Sequence, residues 1–109
     1  MTTKKNPFPL AHHVFFWLKE PGSVKAKRQL MEGIKTLAQI ECVGQLHIGL
    51  PADTEKRDVV DHTYDVCELI MFATKEAQAE YQNHPIHKAF VEKYAHLWSR
   101  VLVYDSLEA

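Results

Sequence analysis

Seven histidines stand in 109 residues, and two of them fall in the segment His84-Pro85-Ile86-His87. His87 is the most informative. His87, Val91, Tyr94 and Trp98 fall at i, i+4, i+7 and i+11, one stripe of a helix, so His87 faces inward near the amino end of that helix. There the helix dipole opposes protonation and keeps the imidazole neutral near pH 7. A neutral histidine in an apolar pocket is a candidate general base. The same pattern also fits a core histidine with one satisfied hydrogen bond. Tyr81 precedes it across the Asn83-His84-Pro85 corner. Its phenol could fix the tautomer of His87 or polarise a substrate oxygen, or it is the apolar anchor of a short helix. His84 precedes a proline, which makes it extended and suited to cap the next helix. His84 and His87 alone lack a third metal ligand, so no metal and no other cofactor is expected.

Glu68 is out of place. Strand alternation sets it beside Val66, Ile70 and Phe72, on an apolar face. A carboxylate there must be paired, protonated or at a wet cavity, unless a bulge or strand end lets it escape. His12 shares a face with Val14, Phe16 and Leu18 and could close the same pocket, while His13 points the opposite way. His47, His62 and His96 read as surface or interface residues.

Local patterns define the elements that must hold these groups. Residues 10–19 form an aromatic and β-branched run, a strand covered on both faces. Pro21 and Gly22 end it, and Ser23 caps an amphipathic helix over 24–40. Residues 44–50 alternate as a second strand, 51–63 form a charged loop, and 64–73 form a third strand. Thr74 caps a short helix through Tyr81, Pro85 opens a helix over 85–98, and 101–104 form the fourth strand. This βαββαβ order predicts an α+β, ferredoxin-like domain: a four-stranded antiparallel sheet with helices on one face. The strands look apolar on both faces. In strand one, Val14, Phe16 and Leu18 point one way, and Phe15 and Trp17 the other. The simplest cover for the second face is a twin subunit, so a homodimer through the open sheet face is expected, with His13 meeting the partner.

Bulk composition bounds the rest. A chain of 109 residues holds one domain, read as a lead-in at 1–9 and a folded unit at 10–106, and buries about 65% of its unfolded surface. It is 46% apolar and 25% charged with a net charge of -1, which gives no general field for nucleic acid or an anionic membrane. No segment approaches the ~20 apolar residues of a membrane span, and Asn6, Pro7 and Pro9 interrupt any leader-like run. Two distant cysteines, Cys42 and Cys67, read as free thiols in a reducing compartment. A cytoplasmic protein without nucleic-acid or membrane partners is expected.

The strand beginning at His13-Val14-Phe15-Phe16 and ending at Lys19, Tyr64-Asp65-Val66 leading into a strand that ends at Phe72, the run from Tyr81 through His84-Pro85-Ile86-His87 to Val91, and the closing Val103-Tyr104-Asp105 together resemble the stress-responsive A/B-barrel (Dabb) family over residues 10–106. The resemblance implies two ferredoxin-like sheets meeting face to face as a dimeric α/β barrel. It also implies a pocket for a small apolar molecule. A plant member of that family closes polyketide chains by aldol condensation without a metal. By that likeness Tyr81 and His87 are the catalytic pair. For acid/base chemistry at carbon next to a carbonyl, the residues themselves suggest His87 as base and Tyr81 as orienting donor, with Glu68 or His12 assisting. His12, Val14, Phe16, Ile34, Ile70, Val91 and Trp98 line the pocket. Glu68 stands where the cyclase has an apolar residue, Ile34 where it has a tyrosine, and Cys42 where many relatives have a proline. The substrate is therefore not carried over. Two other functions compete: a non-catalytic stress or assembly protein, and a cofactor-free monooxygenase.

Overall fold

The computed structural model describes residues 5–109, so the first four residues of the expected lead-in lie outside the described residues. Strand β1, Leu10–Leu18, buries Leu10, His12, Val14, Phe16 and Leu18 on one face and half-buries Ala11, His13, Phe15 and Trp17 on the other. The Ser23 hydroxyl accepts from the Ala26 amide and starts α1, Val24–Thr36. The expected helix to residue 40 stops earlier: Leu37–Gln39 tighten into a 3-10 turn and Ile40 is already extended. Strand β2 is Gln45–Gly49 and β3 is Val66–Phe72. Thr74 caps α2, Lys75–Asn83, through the Ala77 amide. Helix α3 is Pro85–Tyr94 and strand β4 is Trp98–Leu107.

The strands lie in the order β2-β3-β1-β4, every neighbouring pair antiparallel. With three helices on one face this is the ferredoxin-like α+β arrangement the element order predicts. Its last third differs from the sequence reading. The final helix ends at Tyr94, a 3-10 turn spans Ala95–Leu97, and Trp98 opens a ten-residue strand where only 101–104 was expected. The physical reason is the ladder. Leu18 pairs with Trp98, and the Lys19 amide donates to the Leu97 carbonyl, so sheet hydrogen bonds claim residues that helical periodicity had assigned to α3.

The core fills the space between helices and sheet. Leu30, Ile34, Leu37 and Ile40 from the α1 region meet Leu18, Val66, Ile70 and Phe72 from the sheet, with Tyr81 and Phe90 from α2 and α3. Each such aliphatic side chain contributes roughly 1.5–3 kcal/mol by leaving water. Helix α1 approaches α3 closely at Gly33, where a Cβ would lie 2.6 Å from the Tyr94 ring. Among the described residues no helix covers the opposite sheet face. The molecule is a slab 17 Å thick with a radius of gyration of 15.0 Å, against about 13 Å for a compact domain of this length.

Candidate functional site

The site begins at the corner between α2 and α3. His84 (φ -69°, ψ 139°) ends one helix and starts the next. Its Nδ1 accepts from the Ile86 amide at 3.1 Å, so the ring proton sits on Nε2, which donates to Glu41 Oε2 at 3.2 Å. Pro85 at the first helical position loses no hydrogen bond. The corner aims Ile86, Phe90 and Tyr94 at the core. His87 and Val91, one residue further round the helix, border a cavity instead. The stripe His87–Val91 is thus a pocket wall and not the packing stripe, and Val91 is 38% exposed.

This cavity has a volume of about 160 Å³. His12, Val14 and Phe16 of β1 and Glu68 of β3 form its floor, Gln82 of α2 with His87, Phe90 and Val91 of α3 its roof, and Trp98, Val101 and Val103 of β4 its far wall. Val91, Val101 and Val103 are each more than a third exposed and frame the mouth. Trp98 packs against both Phe16 and Phe90, with ring centroids 5.0 and 5.8 Å away.

Seven of the ten residues named from sequence border one space: His87, Glu68, His12, Val14, Phe16, Val91 and Trp98. Tyr81, Ile34 and Ile70 do not; they are fully buried in the core. Tyr81 stands behind His87, the two rings 4.6 Å apart, and 5.8 Å from His12. Sequence reasoning missed Gln82, Phe90, Val101, Val103 and Asp105. Alternation of Val101, Val103 and Asp105 was the available signal, hidden by the short expected strand.

Asp105 pairs opposite His12 in the β1–β4 ladder, and its Oδ1 lies 2.5 Å from His12 Nδ1. This bond orients the imidazole and leaves Nε2 as its other functional atom. His87 is held below the usual histidine range, first by burial and then by His12, against an opposing pull from the Gln82 backbone. The neutral form foreseen from the helix dipole is favoured, with desolvation as the main cause. Glu68 is 3% exposed, its Oε2 has no hydrogen-bond partner among the described residues, and burial pushes its carboxyl up to about 8. The Tyr81 hydroxyl also has no partner among the described residues. Burial raises its pKa, and the Glu68 charge adds to the effect.

Among the described residues no three His, Cys, Asp or Glu side chains gather in a metal-binding cluster. No helix among them is long and apolar enough to cross a membrane.

The sequence profile of the stress responsive A/B barrel domain (Dabb) matches residues 10–107. No match is found among curated proteins. Solved structures give many. A protein of Arabidopsis thaliana superposes with a TM-score of 0.76 at 27% identity, over 93% of this chain and 96% of its own. A dimeric protein of ferredoxin-like fold from Bacteroides fragilis, its function described as unknown, gives 0.69 at 20% identity over 90% and 94%. The hydroxynitrile lyase of Passiflora edulis gives 0.77 at 16% identity over 95% and 96%.

Proposed function

The chain belongs to the stress responsive A/B barrel family, and from that premise we propose a homodimer, paired through its open sheet face, that binds a small apolar molecule under α3 and moves a proton on it without a cofactor. The observation that carries this reading is the pair of histidines on one small apolar cavity. Burial holds His87 neutral, and Asp105 orients His12. His87 takes a proton from carbon next to a carbonyl, and the electron pair moves to the carbonyl oxygen. Tyr81, packed against the His87 ring, is a positioning residue; His12 and Glu68 line the same space and assist. That a hydroxynitrile lyase shares the architecture supports placing catalysis on this scaffold, and its substrate is not carried over.

The open face supports the dimer. His13, Phe15, Trp17, Leu69, Met71 and Leu102 lie there half-buried, with no helix of the described residues above them, and the Bacteroides fragilis neighbour is described as dimeric. A cytoplasmic location fits two free cysteines. One observation favours the non-catalytic alternative in part: His84 and Pro85 start a helix, so that half of the segment needs no chemical role.

The test uses 4-fluoroacetophenone in heavy water. The wild-type protein exchanges the ketone's methyl protons, and His87→Ala slows exchange by about a hundredfold or more while remaining a folded dimer. An unfolded or monomeric variant, or unchanged exchange, assigns His87 to structure and overturns the catalytic reading.

A further inference from the structure

We propose that Glu68 works as a neutral hydrogen-bond donor that selects ligands of about one ring in size bearing a carbonyl oxygen, and that it stabilises the oxyanion formed there. This deepens the proposed function and rests on it. Glu68 lines the cavity, is nine-tenths buried, and has an oxygen with no partner among the described residues. Its ladder neighbours are Val14 and Ile48, so neither residue paired with it offers a charge or a donor. An ionised carboxylate here would give up its hydration for nothing.

The groups around it decide its state. Among the described residues no lysine or arginine lines the cavity. From β1 comes His12, already bonded to Asp105 of β4. From α3 comes His87, held neutral by burial. From α2 comes Tyr81, whose hydroxyl keeps its proton more tightly through burial first and the nearness of Glu68 second. Glu68 therefore meets its burial cost by keeping its own proton, which matches its upward shift to about 8. A protonated carboxyl has one O–H to donate. No acceptor among the described residues takes it at Oε2, whereas a carbonyl oxygen in the cavity would.

Size and walls narrow the class. An apolar cavity of ~150 Å³ accepts benzene, and this one measures about 160 Å³ between Val14, Phe16, Phe90 and Trp98. A single ring or short branched chain fits, with its carbonyl turned to the floor. When His87 removes the neighbouring carbon's proton, that C–H pair becomes a C=C bond and the carbonyl pair moves onto oxygen. The Glu68 O–H holds that oxygen, and the proton on His87 returns to carbon to close the cycle. An acid kept neutral by an apolar site serves the same purpose elsewhere.

The experiment follows 4-fluoroacetophenone binding by fluorine NMR from about pH 6 to about pH 9.5, on wild type, Glu68→Gln and Glu68→Leu. Wild-type affinity should fall about tenfold as pH rises through about 8. Glu68→Gln, with a neutral donor, should bind without that pH dependence. Glu68→Leu should bind about tenfold more weakly at low pH, also without it. Flat wild-type affinity, or a leucine variant that binds as tightly as wild type, overturns the role of Glu68 and leaves the pocket standing. If none of the three proteins binds the ketone at any pH, the carbonyl pocket falls as well.

Discussion

Leu69 and Ile70 are neighbours on β3, yet they face different worlds. Ile70 points at the helices and is fully buried, and beside it on the same face lie the buried polar residues Glu68 and His12. Leu69 points the other way and stays half-buried, flanked in the ladder by His13 and His47. One face is therefore complete within a single chain except at the cavity, where α3 leaves β4 uncovered. The other face has a hollow walled by Phe15, Trp17, Asp61, Tyr64, Leu102 and Tyr104, and no helix above it. Stability comes from the first face, and the proposed association would use the second. The proposed chemistry would sit at the border of the first face, where packing stops and polar groups are already desolvated.

The largest effect that would break this division is on assembly. Leu69→Asp should convert a dimer into a folded monomer, read as a halved mass in sedimentation with unchanged circular dichroism. A variant that stays dimeric would move the interface elsewhere. Next comes Ile70→Ala, which should cost about 4 kcal/mol of unfolding free energy in urea, against under 1 kcal/mol for Met71→Ala on the opposite face, both measured on the monomeric Leu69→Asp background. Comparable costs would erase the contrast between the faces.

A smaller effect is sensitive to pH. The Glu68 carboxyl is raised from 4.5 to about 8 in the fold. Its cost is absent below the lower value and grows as pH rises toward the upper one, because the unfolded chain releases the proton first. Glu68→Gln should therefore be no more stable than wild type near pH 4.5 and about 4 kcal/mol more stable above pH 8. A gap that does not change with pH would show that Glu68 ionises normally. The smallest is Gly33→Ala, where the new methyl meets the Tyr94 ring at 2.6 Å. A loss of about 1–2 kcal/mol is expected, seen as a lower Tm.

Much of this frame was legible in the sequence because alternation is strict where one face is buried. His12, Val14 and Phe16, and likewise Val66, Glu68 and Ile70, share the face their spacing assigns. Ser23, Thr74 and His84 cap the helices they precede. The largest errors fall at β4. Trp98 continues a helical stripe by spacing, but its hydrogen bonds go to β1, and a ladder across the whole chain leaves no local signal. For the same reason Asp105, the partner of His12, was invisible until β1 and β4 were paired. Ile34 and Ile70 were placed in the pocket by likeness, whereas close packing of α1 puts both in the core.

The bond between His12 and Asp105 joins the first strand of the fold to its last. Contacts this distant in sequence form late and slowly, because the intervening chain must be organised first. During synthesis, β1 waits with its far edge bare until β4 emerges, and a bare edge is a template for aggregation. A copy interrupted before β4 lacks both the orienting carboxylate and the far wall. The site is therefore assembled only in chains that have been made through to β4.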